Sequence, residues 1–193
     1  MSQYTHIKTV ILASALLSQI GISLTVYADQ GIQVNNIHFE QRQTTDAGEF
    51  HLRGAGILTW GIWVDLYAAA LYTSPDASQL NKRLVIHYFV PIKASKIREI
   101  GESFILKQEG QETLARIRPS LDRLHDAMND VEPGDSYALT LTENGQLILE
   151  YNRQEVISIT DRTLGEAYLN IWLGKQPIDT HLKLSLLGPA NRS

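Results

Sequence analysis

A Gly-x-Gly element opens one long apolar segment of this chain, and a run of alanines fills the next. The first segment reads Leu52-Arg53-Gly54-Ala55-Gly56-Ile57-Leu58-Thr59-Trp60 and the second ends Tyr67-Ala68-Ala69-Ala70-Leu71-Tyr72. Glycine weakens a strand, and it is found there mostly where another backbone comes close. Gly54 and Gly56 therefore point to a crowded strand. A dinucleotide-binding loop would need a third glycine and a strand–helix–strand setting, and the surrounding pattern supplies neither.

The rest of the chain alternates in period. Phe50–Thr59 and Ile62–Tyr72 read as strands joined tightly at Trp60-Gly61, and Leu84–Val90 is apolar on both faces, as a covered central strand is. The stretches 29–36 and 41–49 are polar, and 77–81 has room for one helical turn. From Ala94 the spacing becomes helical, with Ile97, Ile100 and Phe104 on one stripe. Gly110 stops or bends that helix, and Pro119 should kink or split the next one. A meander follows: strands around Tyr137–Leu141, Leu147–Tyr151 and Glu155–Thr160, the first two joined at Asn144-Gly145. Thr160 or Asp161 caps a helix through Trp172 that ends at Gly174, and 178–187 forms a last short helix. Strands, then helices, then strands, then helices give an α+β domain, a largely antiparallel sheet with helices on one face.

Residues 1–28 read as an export signal. They hold one charge, Lys8, an apolar run from Val10 to Val26, and the end Val26-Tyr27-Ala28 with small residues at the cleavage positions. Polar residues dilute the run below what a stable membrane span needs. The expectation is cleavage after Ala28, a folded domain over 29–188, a polar tail over 189–193, and a periplasmic or secreted location. The net charge of −4 gives no basic surface for nucleic acid. With no cysteine, disulfides, thiolate metal sites and thiol catalysis are excluded.

Three groups of residues together resemble the chalcone isomerase-like family, in its bacterial, non-catalytic branch: Leu52–Tyr72; Gly134-Asp135-Ser136-Tyr137 leading into Asn144-Gly145; and Ile171-Trp172-Leu173-Gly174 with Pro177 and Leu186-Leu187-Gly188. The resemblance implies an open-faced sandwich, a large mainly antiparallel sheet with a helical layer over a cleft. The family's plant catalysts close a chalcone to a flavanone, and relatives without that activity bind fatty acids in the same cleft. In both, the resemblance implies an arginine on the strand after Gly-x-Gly. Leu58 stands there in this chain, and Tyr67 matches a cleft tyrosine of the fatty-acid-binding relatives. A buried anion needs an opposite charge or several hydrogen bonds, and leucine offers neither. Arg53, five positions earlier, would lie on the opposite face of a regular strand.

The reading is a non-catalytic exported protein holding a small apolar or fatty-acid-like ligand between sheet and helices. Leu58, Thr59, Tyr67, Tyr72 and Tyr88 line the expected cleft, with no catalytic residue, metal or cofactor. Trp60 and Trp63 could gate its mouth, and Trp172 plugs helix onto sheet. Two alternatives stay open: a structural or interaction module without ligand, and an isomerase or lyase using Tyr67, with His87 as a partner. His87 is the histidine expected to be buried. No histidine pair has zinc spacing, and the mixed charges from Lys96 to Arg116 read as a solvated helix face.

Overall fold

The structure is a computed structural model that describes residues 31–76 and 81–188. Seven strands form one antiparallel sheet in chain order: β3 (Arg42–Thr45), β4 (Gly48–Trp60), β5 (Val64–Thr73), β6 (Lys82–Tyr88), β7 (Ser136–Leu141), β8 (Gln146–Tyr151) and β9 (Gln154–Thr160). The sheet curls into a half-barrel. A separate hairpin, β1 (Ile32–Val34) and β2 (Ile37–Phe39), precedes it, turning at Asn35, whose φ is 50°. Three helices complete the fold: α1 (Ala94–Asp126), α2 (Arg162–Leu173) and α3 (Thr180–Leu187).

Period-2 alternation divides the sheet residues between two cores. Ala69, Leu71, Leu84, Ile86, Leu139 and Leu149 face the helices. Ala68, Ala70, Tyr72, Val85 and Ala138 face the other way, under Phe39 and the β1–β2 hairpin. The polar stretches 29–36 and 41–49 thus contain β1 and β3, which the sequence pattern had not marked as strands. Their side chains cover an edge and a face, and so lack the alternation of a half-buried strand. The suggested turn at 77–81 falls almost wholly outside the described residues, as do the signal segment and the polar tail.

The glycines of β4 have a direct structural reason. A Cβ at Gly54 would lie 2.1 Å from the Ser185 carbonyl oxygen, and one at Gly56 would lie 2.7 Å from Ser185 Cβ. Helix α3 rests on the bare backbone of β4. Gly188, at φ 68°, ends α3 with its Cα against the Arg53 carbonyl, closer than any side chain permits.

Helix α1 breaks at Gly110 (φ 80°, ψ 171°), the single residue with non-helical backbone angles inside it. Pro119 neither splits nor interrupts the helix that follows. Across the break Arg118 holds Glu102 through two hydrogen bonds of 2.9 and 2.7 Å. Asp161 caps α2 and Asp179 caps α3, each accepting from the backbone N–H three residues on. Among the described residues no helix is long and apolar enough to cross a membrane.

Candidate functional site

Register places three of the five expected cleft residues in one lateral row. Leu58 on β4 opposes Tyr67 on β5, and Tyr67 opposes Tyr88 on β6. All three face the helices and are buried at 7%, 5% and 5% exposure. From the helical side Trp172 reaches down, and its Nε1–H donates to the Tyr67 hydroxyl at 2.8 Å. Aromatic edges fill the space around this bond. Tyr88 packs edge-on against both Tyr67 and Tyr137, at centroid distances of 5.7 and 6.2 Å, and Tyr168 tilts against Trp172.

Burial holds the Tyr67 phenol protonated, well above its ordinary range; the Trp172 bond opposes that shift only in part, and the Asp179 carboxylate adds to it. Tyr88 is pushed up by burial and by its tyrosine neighbours. This row therefore offers a neutral hydrogen-bonding group on an apolar wall. The charge that acts on Tyr67 is negative. Among the described residues, the Asp179 carboxylate that acts on Tyr67 disfavours a phenoxide, a carboxylate or an enolate beside it.

The other two expected residues lie elsewhere. Thr59 is exposed and its hydroxyl donates to Asp65 Oδ1 at 2.7 Å, at the tip of the β4–β5 hairpin. Tyr72 is five residues from Tyr67 on a strand whose register against β6 is unbroken, so it points to the opposite face. There it is fully buried, and burial pushes its hydroxyl well above the ordinary tyrosine range, with Gln43 and the Arg83 charge opposing the shift. The same parity rule fails for Arg53, because the register of β4 shifts between Leu52 and Gly54. Arg53 is exposed, and that exposure keeps it away from Leu58.

The histidine expected to be buried, His87, is not the most buried one. His87 is only half-buried, edge-on to Phe39 at 5.6 Å, and burial with the nearby Arg153 charge lowers its pKa. His125 is the buried one, at 6% exposure against Tyr168, with Nε2 unpartnered. Neither reaches Tyr67 by a hydrogen bond.

A feature that residue patterns did not signal is a cavity of about 680 Å³ on the face away from the helices. The sheet, β3 and the N-terminal hairpin line it together, and it opens to solvent. Its floor carries Arg83, which forms two hydrogen bonds to the Glu150 carboxylate and donates also to Gln43 and Thr140. Four of the five guanidinium N–H groups are thereby engaged. A smaller recess of about 450 Å³ lies at the break in α1, bordered by Gln108, Leu173, Lys175 and Lys183.

A curled antiparallel half-barrel with a helical layer on one face defines the class of fold. A family model described as chalcone isomerase-like matches residues 31–188, and the chain belongs to that family. Among solved structures it is similar to a fatty-acid binding protein of Arabidopsis thaliana. The identity is 13%, covering 79% of this chain and 92% of that one, with a TM-score of 0.62. No curated protein sequence matches it.

Proposed function

We propose that the protein is a non-catalytic member of its family that binds a small, mainly apolar ligand between the sheet and the helices. The observation that carries this reading is the Leu58–Tyr67 pair. An aliphatic side chain and a protonated phenol stand side by side, facing the helices, where anionic chemistry would require a cation. The fatty-acid binding activity of the structurally similar plant protein supports a ligand of that kind. Trp172 closes the space by donating to Tyr67, so a ligand is admitted when that bond is exchanged for one to the ligand's polar end. With Asp179 nearby, an alcohol, ester or other uncharged head suits Tyr67 better than a carboxylate. We further propose that residues 1–28 direct export to the periplasm or beyond and are removed after Ala28.

Native mass spectrometry after mild purification, with melting temperatures against fatty acids and the matching alcohols and esters, tests the reading. Ligand at a hundredfold excess over its Kd adds about 2.7 kcal/mol of stability, which a melting curve resolves. The expected result is a rise in Tm, larger for uncharged heads. A protein that emerges empty and shows no rise with any member of the panel overturns it. The intact mass of the exported product reads the cleavage site directly.

One observation favours a second reading, an interaction module with a solid interior: Tyr88, Tyr137, Tyr168 and Trp172 already fill the space beside Tyr67. An unresponsive melting curve would select it.

A further inference from the structure

The hairpin between β4 and β5 ends in Trp60-Gly61-Ile62-Trp63-Val64, and these apolar side chains stand in solvent. Trp60 is 72% exposed, Ile62 81% and Trp63 87%. In the sheet, β6 stops at Tyr88 opposite Tyr67, and β3 pairs with β4 only as far as His51. The tip therefore extends past both neighbouring strands as a convex point. It carries no charge. The first charged residue is Asp65, and it is tied down by Thr59 and by the Asn35 amide at 2.7 and 3.0 Å, a polar collar at the base of the tip.

Exposed aromatic and aliphatic side chains in this concentration mark a contact surface. Two tryptophans with their neighbours offer on the order of 500 Å². That falls short of the roughly 800 Å² per partner of a standard protein interface. A protruding point, moreover, lacks the breadth over which a folded partner makes contact. A lipid headgroup region sets no such requirement: it accepts a narrow wedge, and tryptophan prefers it because the ring is apolar and the N–H is wet. The turn's own unpaired N–H and C=O groups keep the insertion shallow, in the headgroup zone rather than the hydrocarbon. The absence of lysine and arginine from the tip removes the usual attraction to anionic lipid.

We propose that this tip inserts into the interface of a lipid bilayer with zwitterionic headgroups. The proposal does not depend on ligand binding between sheet and helices. The tip does continue the two strands that carry Leu58 and Tyr67, so membrane contact would bring those residues near a lipid source.

The test exploits tryptophan placement. The chain has three, Trp60, Trp63 and Trp172, of which the first two are on the tip. The full chain is mixed with phosphatidylcholine vesicles whose acyl chains carry bromine near the headgroup, and emission is recorded. The expected result is a blue shift and strong quenching. Both are lost in the double variant Trp60→Ser, Trp63→Ser, whose remaining emission comes from Trp172. The variant Trp172→Phe, in which only the tip emits, is quenched more completely than the parent. Because quenching reports depth at the ring itself, attachment by any other part of the chain does not imitate it. Unquenched, unshifted tip emission on these vesicles overturns the proposal. So does quenching that appears only when anionic lipid is added, or a blue shift that grows with protein concentration in the absence of lipid, which would assign the tip to a second copy of the chain.

Discussion

Trp172 Nε1 donates to the Tyr67 hydroxyl at 2.8 Å, a bond that joins α2 to the helix-facing side of β5 across 105 residues of sequence. Removing the acceptor in Tyr67→Phe leaves the ring in place and the indole N–H without its partner, for a loss of about 1–2 kcal/mol by urea denaturation. Trp172→Ala removes both the bond and the bulk that closes the interlayer space. It should cost about 3 kcal/mol or more, yet give a larger rise in Tm with apolar ligands than the parent shows. A Trp172→Ala protein that is destabilised without any increase in ligand response would mean that Trp172 is packing alone.

The two glycines of β4 differ in what opposes a methyl group. At Gly54 the obstacle is backbone, the Ser185 carbonyl at 2.1 Å; at Gly56 it is the Ser185 side chain at 2.7 Å. Gly54→Ala must displace α3 and should cost about 2–3 kcal/mol or more, at the upper end of overpacking penalties. Gly56→Ala should cost less and be partly relieved by Ser185→Gly, despite the lower helix propensity of glycine. Equal penalties for the two, or relief of Gly54→Ala by the same second change, would contradict this geometry. Thermal melts of the parent, the three single variants and the two doubles with Ser185→Gly decide it.

Arg83 and Glu150 form an ion pair with side chains only 7% and 16% exposed. Truncating either partner strands a buried charge, and Arg83→Met or Glu150→Leu alone should cost about 3–5 kcal/mol. The double replacement by apolar residues should recover most of that loss, because no charge is then left unpaired. Denaturant titration of the two single variants and the double gives the coupling energy. A coupling near zero would show that the pair contributes nothing beyond its two separate side chains.

Burial lowers the His125 pKa to about 4, with the Glu102 carboxylate opposing the shift and Arg98 adding to it. The neutral ring is what the fold accommodates. Between pH 6.5 and 4 the unfolded chain binds the proton and the folded chain does not, so stability rises with pH across that window. It is complete above about 6.5, the ordinary value for histidine, and has been lost by about 4, with an amplitude on the order of 2–3 kcal/mol. In His125→Phe the slope across this window should flatten, while the further loss below it persists through carboxylates held low by their partners, such as Asp130 bonded to Lys93 and Asp135 bonded to the Glu132 N–H. An unchanged slope in that variant assigns the acid sensitivity elsewhere.

Much of this architecture is readable along the chain because it rests on local chemistry. Asn144-Gly145 sets a hairpin, with Gly145 at φ 78°, and of the two expected caps, Thr160 or Asp161, it is Asp161 that caps α2. Leu84–Tyr88 is apolar on both faces because helices cover one side and the Phe39 cluster covers the other. Pro119 is tolerated where a kink was expected, and the break falls at Gly110, where the chain adopts a backbone angle that residues with side chains rarely reach. The buried histidine was assigned to the wrong element for a related reason. His87 lies on an apolar strand whose cover on that face is incomplete, whereas His125 ends a polar-looking helix that docks against Tyr168.

The candidate site divides along the same line. Leu58, Tyr67 and Tyr88 could be singled out as residues, but their alignment in one row is a matter of register, which the β4 bulges at Arg53 and beyond Leu58 adjust and which no count along a single strand supplies. Tyr72 shows the consequence, since one odd step of five carries it to the other face. From its sequence alone this chain determines an antiparallel sheet with a helical layer, a consequence of residue type and spacing; Trp60 and Trp63, expected to gate a cleft mouth, instead stand exposed at the β4–β5 tip. Only the tertiary structure decides that Trp172 meets Tyr67, that α3 lies on the glycines of β4, and that a polar cavity opens on the far face. Each of those depends on segments distant in sequence reaching the same few ångströms of space.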